Sequence, residues 1–207
     1  DLEAYCPHSC EFCSYRNVNW QGYGMDFDEP EKRVPEETGL PKEIALRLPR
    51  EMYEAGIPSI ELTGGGEPMV YPYLIEFLEE LARYPIELAI VTNGASLNEE
   101  VQKHLKNLKW IRFSVDAVTP ETYAKVHRVP KSVFGPVMKH IKETVARGFE
   151  DCKVGISFVI TQQNCHEISE SAELYRDLGV NSVRYTFTYD PQGDGALTPH
   201  QVRDAER

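Results

Sequence analysis

Residues 59–68 read Ser59-Ile60-Glu61-Leu62-Thr63-Gly64-Gly65-Gly66-Glu67-Pro68, a short apolar strand that runs directly into a polar, glycine-rich exit. The same unit of strand, polar exit and amphipathic helix recurs along the chain. Repetition of one βα unit predicts a parallel sheet with right-handed crossovers. The predicted strands cover residues 2–5, 59–62, 87–91, 110–115, 154–160 and 182–187.

The number of strands limits the architecture of this α/β chain. Six strands are too few for a closed eight-stranded barrel, so a partial barrel or a doubly wound sheet remains. Gly56, Gly148 and Gly179 follow helical patterns and predict left-handed C-caps. Ser96 and Glu99 have the spacing of a capping box and predict the start of a helix. No linker interrupts the chain, so residues 1–207 are interpreted as one domain.

Composition excludes several classes of protein. With 207 residues, 41% of them hydrophobic and 27% charged, the chain suits one globular domain with a sizeable core. Its net charge of −11 gives no footprint for a nucleic-acid backbone. No apolar run approaches the roughly 20 residues that span a bilayer, and no secretory signal peptide is expected from the opening residues 1–3. The five cysteines are an odd number, which favours a reducing cytoplasm over a disulfide scaffold.

Three of those cysteines lie close together in sequence. Cys6, Cys10 and Cys13 have the spacing C-x3-C-x2-C and supply three thiolates from one loop. A cubane iron–sulfur cluster normally takes four cysteines, so three would leave one iron open to a substrate or cofactor. A zinc site completed by His8 or a distant residue is an alternative, and a disulfide framework is another. Cys152 and Cys165 are expected to be small buried hydrophobes.

Polar residues follow every predicted strand. The carboxyl ends of parallel strands meet at one edge of a sheet, where ligands bind in α/β folds. These exits therefore predict one shared site. They are residues 6–13, 63–68, 92–94, 114–116, 161–164 and 186–188.

The glycine run is the most unusual exit. Gly64, Gly65 and Gly66 carry no side chains, so a ligand can reach the backbone closely. No lysine follows as in a phosphate loop, and the spacing is not that of a dinucleotide site. Glu67 offers a carboxylate suited to a cationic amine. A plain tight turn is the alternative explanation.

Taken together, the cysteine triad with Phe12 before its last member and the motif Gly64-Gly65-Gly66-Glu67-Pro68 resemble the radical S-adenosylmethionine (SAM) superfamily. Residues 92–94, residues 114–116 and the Asn164-x-x-Glu167 helix start are similar to the branch that contains the molybdenum-cofactor cyclase and the SPASM and twitch enzymes. The resemblance covers nearly the whole chain and implies a partial (βα)6 TIM-like barrel.

The resemblance also implies residue roles. Cys6, Cys10 and Cys13 would hold a 4Fe–4S cluster, and the amine and carboxylate of SAM would chelate its fourth iron. The amino group of SAM is expected at Gly64, Gly65, Gly66 and Glu67, and its methionyl part near Thr92 and Asn93. Ser114 is expected near the ribose or carboxylate, and Arg128 at the carboxylate. The adenine is expected at Phe12 and the backbone of residues 159–161. A solvated surface arginine is the alternative for Arg128. Asp116 would contact the ribose or face the substrate.

The implied activity is reductive cleavage of SAM to methionine and a 5′-deoxyadenosyl radical, which removes hydrogen from a peptide or a small metabolite. Carbohydrate or nucleoside tailoring is the main rival, and a non-catalytic iron–sulfur or zinc module is the alternative of another class. The expected partner is an electron donor such as flavodoxin or ferredoxin, without membrane or nucleic acid.

Two segments bear on the substrate. The loop at residues 15–23 is rich in aromatics and amides and is expected either to line a substrate or to pack on the barrel edge. The chain starts within the first predicted strand and stops at Arg207 in a helical pattern, so it is interpreted as a core truncated at both ends. His104 and His140 are expected at the surface.

Overall fold

A computed structural model describes residues 1–13, 38–105, 107–148 and 151–188. Within these residues, five parallel strands form one sheet in sequence order, which confirms the α/β fold. The strands are β1 Ser59–Leu62, β2 Glu87–Thr92, β3 Leu108–Ser114, β4 Lys153–Ile160 and β5 Ser182–Phe187.

Helices alternate with these strands. They are α1 Lys42–Glu54, α2 Leu74–Leu81, α3 Glu99–Lys103, α4 Pro120–His127, α5 Phe134–Arg147 and α6 Ile168–Asp177. Short 3-10 turns cover Pro68–Val70, Lys131–Val133 and Cys165–Glu167. No helix in the described ranges is long and apolar enough to cross a bilayer.

The register of the sheet brings the strand exits to one edge. Leu62 at the end of β1 pairs with Ile90, and Thr92 at the end of β2 pairs with Phe113. Ser114 at the end of β3 pairs with Ser157 of β4. The polar segments after these strands therefore lie side by side, as predicted from the sequence.

The core lies between the sheet and the helices. β2 is buried along most of its length, as expected for a parallel strand covered on both faces. The apolar stripe of α2 (Leu74, Phe77, Leu78 and Leu81) is buried against this core. This packing fixes the ends of the strands and therefore the polar segments that follow them.

The segment predicted as the first strand differs from expectation. In the described residues it makes one antiparallel bridge, Glu3 to Gly39, and joins no parallel ladder. The carboxylate of Glu3 accepts hydrogen bonds from the amides of Ala4 at 2.9 Å and Tyr5 at 2.8 Å. Because those amides are already bonded locally, they cannot serve a neighbouring strand. The sheet thus has five strands here where the sequence predicted six.

Candidate functional site

The cysteine loop is attached to the carboxyl end of α4. The amide of Ser9 donates to the carbonyl of His127 at 3.0 Å, and the amide of Glu11 donates to Val126 at 3.0 Å. The last carbonyls of a helix have no partner within it, so the loop satisfies them. Cys13 N also donates to Cys10 O at 3.2 Å and closes a turn within the motif.

The exit of β1 lies directly against this loop. The amide of Glu67 donates to the carbonyl of Tyr5 at 2.8 Å. A Cβ on Gly66 would lie 2.5 Å from the carbonyl carbon of Ala4 and would overlap its backbone. The approach of the two segments therefore requires glycine at position 66, which explains one member of the glycine run on this structure's own geometry.

Glu67 joins the exits of β1 and β2. Its side chain is 2% exposed. One carboxylate oxygen accepts from Met69 N at 3.0 Å and Thr92 Oγ1 at 2.6 Å, and the other accepts from Asn93 N at 2.7 Å. Burial raises the pKa of Glu67, and these three donors oppose that shift. The structure places both oxygens against donors within the protein, and contact of Glu67 with the SAM amine stays a prediction.

We expect Glu67→Gln to destabilise the fold by about 2 kcal/mol, the middle of the range for an unsatisfied buried group. The amide of glutamine would present N–H groups to a site where three donors already converge. Urea unfolding would measure the loss, with the exposed Glu61→Gln on β1 as the matched control. A Glu67→Gln variant as stable as the wild type would contradict the role given to this carboxylate.

Asn93 extends the same network to the cysteines. Its side-chain nitrogen lies 3.8 Å from Cys6 Sγ, and its oxygen accepts from Ala95 N at 2.9 Å. Thr92 Oγ1 in turn accepts from Gly94 N at 3.0 Å. The β2 exit is therefore held by hydrogen bonds from its own side chains, and Asn93 lies next to Cys6.

The remaining predicted residues occupy different places. Ser114 is half-buried at the end of β3, and Phe12 is half-buried with its ring centroid 6.3 Å from that of His127. Arg128 is exposed and ends α4 in a left-handed conformation, with φ of 52°. It is the neighbouring His127 that points into the site. The loop at residues 15–23 lies outside the described residues.

His127 is the site residue that the sequence interpretation missed. Its Nδ1 lies 3.2 Å from Cys10 Sγ, and its ring stacks on Tyr123 with centroids 4.2 Å apart. Burial lowers the pKa of His127, but Cys10 and Asp116 outweigh it and raise that pKa to about 10. The available signal was the i, i+4 spacing of Tyr123 and His127, which places two aromatic rings on one helix face.

His8 lies beside this pair. It is 6% exposed, and neither ring nitrogen has a hydrogen-bond partner among the described residues. Burial lowers the pKa of His8 to about 3. The donor atoms of His8, Cys10 and His127 lie within 4.8 Å of one another, and this set of two nitrogens and one sulfur is of the kind that binds zinc.

The exits of β3 and β4 are tied together by Asn164. Its side-chain nitrogen donates to the carbonyls of Asp116 at 2.9 Å and Val159 at 2.8 Å, and its oxygen accepts from Thr161 N at 2.7 Å. Glu167 adds a second tie, since its carboxylate accepts from Val118 N at 2.7 Å. These contacts give the Asn164-x-x-Glu167 pattern a positioning role.

We expect Asn164→Asp to lower the free energy of unfolding by about 2 kcal/mol, since a buried donor is replaced by an acceptor facing two carbonyls. Thermal unfolding followed by circular dichroism would measure it. Gln163→Glu is the matched control, because Gln163 is exposed on the same turn. Equal melting temperatures for Asn164→Asp and wild type would refute this role.

The sequence predicts surface positions for His104 and His140 and small buried side chains for Cys152 and Cys165. His104 is half-buried and lies 3.5 Å from carboxylates of Glu79 and Glu100. His140 differs from expectation, because its Nδ1 lies 2.7 Å from the carbonyl of Gly94 and it supports the β2 exit. Cys152 and Cys165 are half-buried and pack against the core.

The three cysteines of the loop are suited to hold a metal cluster. All are half-buried, and none forms a disulfide. Burial, the negative charge of Glu67 and the neighbouring thiols raise the pKa of Cys6 to about 12. A thiol ligand gives up its proton on binding, so a metal must supply the free energy for that ionisation. Three thiols beside a glycine-rich backbone fit a cluster with one open iron.

Comparison with known proteins decides the family. Residues 4–175 match the model of the Radical SAM superfamily. The chain belongs to that superfamily. Radical SAM enzymes use a 4Fe–4S cluster and SAM, so the cofactors expected from the sequence are those of the family.

Individual relatives fall into two groups. The chain is 29% identical over 198 residues to a probable GTP 3′,8-cyclase of Saccharolobus islandicus, covering 95% of this chain and 58% of the relative. It is 29% identical over 159 residues to AlbA of Bacillus subtilis, an antilisterial bacteriocin subtilosin biosynthesis protein, covering 75% of this chain and 34% of the relative.

The fold is shared with solved radical SAM structures. SuiB of Streptococcus suis bound to the precursor peptide SuiA matches with a TM-score of 0.70 and 18% identity, covering 99% of this chain and 43% of SuiB. The partial TIM barrel predicted from the sequence is therefore confirmed. The chain spans little more than half the length of the cyclases it matches.

Proposed function

We propose that Cys6, Cys10 and Cys13 hold a 4Fe–4S cluster, that the neighbouring strand exits bind SAM, and that residues 1–207 form one radical SAM core domain. One observation carries this proposal: the glycine-rich exit of β1 is hydrogen-bonded to the cysteine segment through Glu67 N and Tyr5 O at 2.8 Å. A ligand bound at that glycine backbone would lie beside the cysteines.

The protein's part in the reaction is to bind and orient. A cluster held by Cys6, Cys10 and Cys13 would supply the chemistry of one-electron reductive cleavage of SAM, which gives methionine and a 5′-deoxyadenosyl radical able to remove hydrogen from a substrate. The half-buried backbone of Gly65 and Gly66 is proposed to receive the SAM amino group. Ser114 at the end of β3 is proposed for the ribose or carboxylate, and Phe12 for the adenine.

The other residues proposed to bind SAM differ in how deeply they are buried. Thr92 and Asn93 are buried and fixed by Glu67, so they are proposed to shape the methionyl pocket. Arg128 is exposed, so a role at the SAM carboxylate requires its side chain to fold back over the end of α4. Glu67 is proposed to meet the SAM amino group beside the glycine run, and its buried carboxylate also joins the β1 and β2 exits.

The substrate is proposed to be a peptide or a small metabolite. The similarity to AlbA and to a peptide-bound structure favours a peptide, while the similarity to a GTP cyclase favours the nucleoside alternative. Flavodoxin or ferredoxin is proposed as electron donor and the cytoplasm as the location. Incubation of the loaded enzyme with candidate peptides and nucleotides, with mass spectrometry of the products, separates the two substrate classes.

A second candidate function is a non-catalytic zinc module. It is favoured by the donors of His8, Cys10 and His127, which lie within 4.8 Å of one another. Such a module would bind one zinc ion tightly and would leave SAM unchanged.

Anaerobic reconstitution tests the two functions together. With iron and sulfide, we expect about four irons per chain, as in a 4Fe–4S cluster, together with its broad visible absorption. Addition of SAM and dithionite should then release 5′-deoxyadenosine. Tight binding of one zinc ion with no iron–sulfur absorption would overturn the enzyme proposal. A cluster that never cleaves SAM would leave a redox or structural role.

A further inference from the structure

His127 lies between a cysteine and a carboxylate. Its Nδ1 is 3.2 Å from Cys10 Sγ, and its Nε2 is 2.7 Å from the carbonyl of Val115 and 3.2 Å from Asp116 Oδ2. His127 is 1% exposed and Asp116 is 0% exposed. Water therefore does not compete for these contacts.

The partners determine where the protons of the imidazole lie. A carbonyl oxygen can only accept, so Nε2 carries a hydrogen toward Val115. A cysteine that ligates iron is a thiolate without a proton, so it too can only accept. With Cys10 bound to a cluster, Nδ1 of His127 faces an acceptor at 3.2 Å, and this distance is that of a hydrogen bond donated to sulfur.

Asp116 is itself held in place. Its backbone has a left-handed φ of 58°, which is uncommon for a residue with a side chain. Asn164 Nδ2 donates to its carbonyl at 2.9 Å, and Val159 N donates to its Oδ1. The carboxylate is thus aimed at His127 by contacts from β4 and the loop after it.

The imidazole ring is also fixed from its faces. Tyr123 stacks on it with ring planes 28° apart, and the ring of His8 meets it edge-on with centroids 5.3 Å apart. A ring held in this way presents Nδ1 to Cys10 in one orientation. Preorganised donors of this kind act without a reorganisation cost when charge develops on their partner.

We propose that His127, oriented by Asp116, is a positioning residue that donates a hydrogen bond to the Cys10 thiolate and makes the cluster easier to reduce. This inference rests on the proposed cluster at Cys6, Cys10 and Cys13. Reduction adds a negative charge to the cluster, and hydrogen bonds to ligand sulfur set iron–sulfur potentials. A hydrogen bond held on one ligand sulfur therefore favours the reduced form.

The direct test is the reduction potential of the reconstituted protein, followed by electron paramagnetic resonance in the absence of SAM. His127→Phe should lower the ratio of reduced to oxidised cluster at a fixed potential at least tenfold, which is about 59 mV for a one-electron couple. His127→Asn keeps a donor near the position of Nδ1 but loses the ring that stacks on Tyr123 and fixes it, so an intermediate shift is expected. His104→Asn is the matched control and should leave the potential unchanged.

A second measurement does not depend on the phenylalanine variant assembling a cluster. Wild-type protein with 15N-labelled histidine should show a nitrogen hyperfine coupling in the reduced cluster. The coupling should disappear in His127→Asn and persist in His8→Asn. Such an assignment cannot arise from a purely structural role for His127.

The outcomes separate the two proposals. A wild-type cluster that cleaves SAM but shows no histidine coupling, or a His127→Phe potential equal to wild type, overturns the role of His127 alone. A wild-type protein that assembles no cluster overturns the proposed function, and this inference with it.

Discussion

Cys10→Ala is expected to abolish SAM cleavage and to leave the fold intact. Cys10 supplies one of only three thiolates, and its loss leaves two ligands for four irons. Reconstituted Cys10→Ala should therefore lack the iron–sulfur absorption and release no detectable 5′-deoxyadenosine. The measurements are iron content, visible absorption and product analysis after addition of SAM and dithionite.

The control for Cys10→Ala is Cys165→Ala. Cys165 is also half-buried, but it lies in the 3-10 turn Cys165–Glu167, and its Sγ lies 3.8 Å from the carbonyl oxygen of Gln162. This variant should keep iron content and SAM cleavage at wild-type levels. SAM cleavage that survives in Cys10→Ala would show that this thiol is not a cluster ligand.

Gly66→Ala should disrupt the site without touching a cysteine. The added Cβ would lie 2.5 Å from the carbonyl carbon and 2.8 Å from the carbonyl oxygen of Ala4. Both atoms belong to the backbone, so one segment must move away from the other. The expected cost is about 3 kcal/mol, at the upper end for overpacking, with loss of SAM binding. Urea unfolding and equilibrium dialysis with labelled SAM measure the two effects.

Gly135→Ala is the matched control for Gly66→Ala. Gly135 lies in α5, and a Cβ there would meet nothing within 4 Å. Alanine favours a helix by about 1 kcal/mol over glycine, so this variant should be as stable as wild type or more stable. If Gly66→Ala and Gly135→Ala have the same stability and the same affinity for SAM, the close approach of the β1 exit to the cysteine segment does not contribute to either.

Much of the fold follows from short-range sequence patterns. The last strand begins and ends where predicted, at Ser182–Phe187. Gly56, Gly148 and Gly179 have φ of 74°, 58° and 82°, as expected of left-handed C-caps. These features depend on the period of apolar residues and on the conformational freedom of glycine, which are both local properties.

The wrong predictions lie where a side chain bonds a backbone amide that was expected to have another partner. The predicted capping box at Ser96 is wrong, because Asn98 caps α3 and accepts from Val101 N at 3.0 Å. The predicted strand at residues 2–5 fails for a related reason, since Glu3 captures the next two amides. Such competition depends on three-dimensional geometry that spacing alone does not specify.

The sequence predicted which motifs form the site but not which of their side chains contact one another. The sequence identified Cys6 and Glu67 as neighbours in function, and the structure joins their segments. It did not distinguish His127 from Arg128. His127 is the last helical residue and is buried, whereas Arg128 is the left-handed cap and is exposed.

The attachment of the cysteine loop to α4 has a consequence for cooperativity. The amides of Ser9 and Glu11 close onto a helix end more than one hundred residues later in the chain. Opening of the loop therefore breaks hydrogen bonds to the last carbonyls of α4, and we expect the two segments to open together. Metal held by the loop would thus slow hydrogen exchange at Ser9 and Glu11 and, through the shared opening, in the last turn of a distant helix.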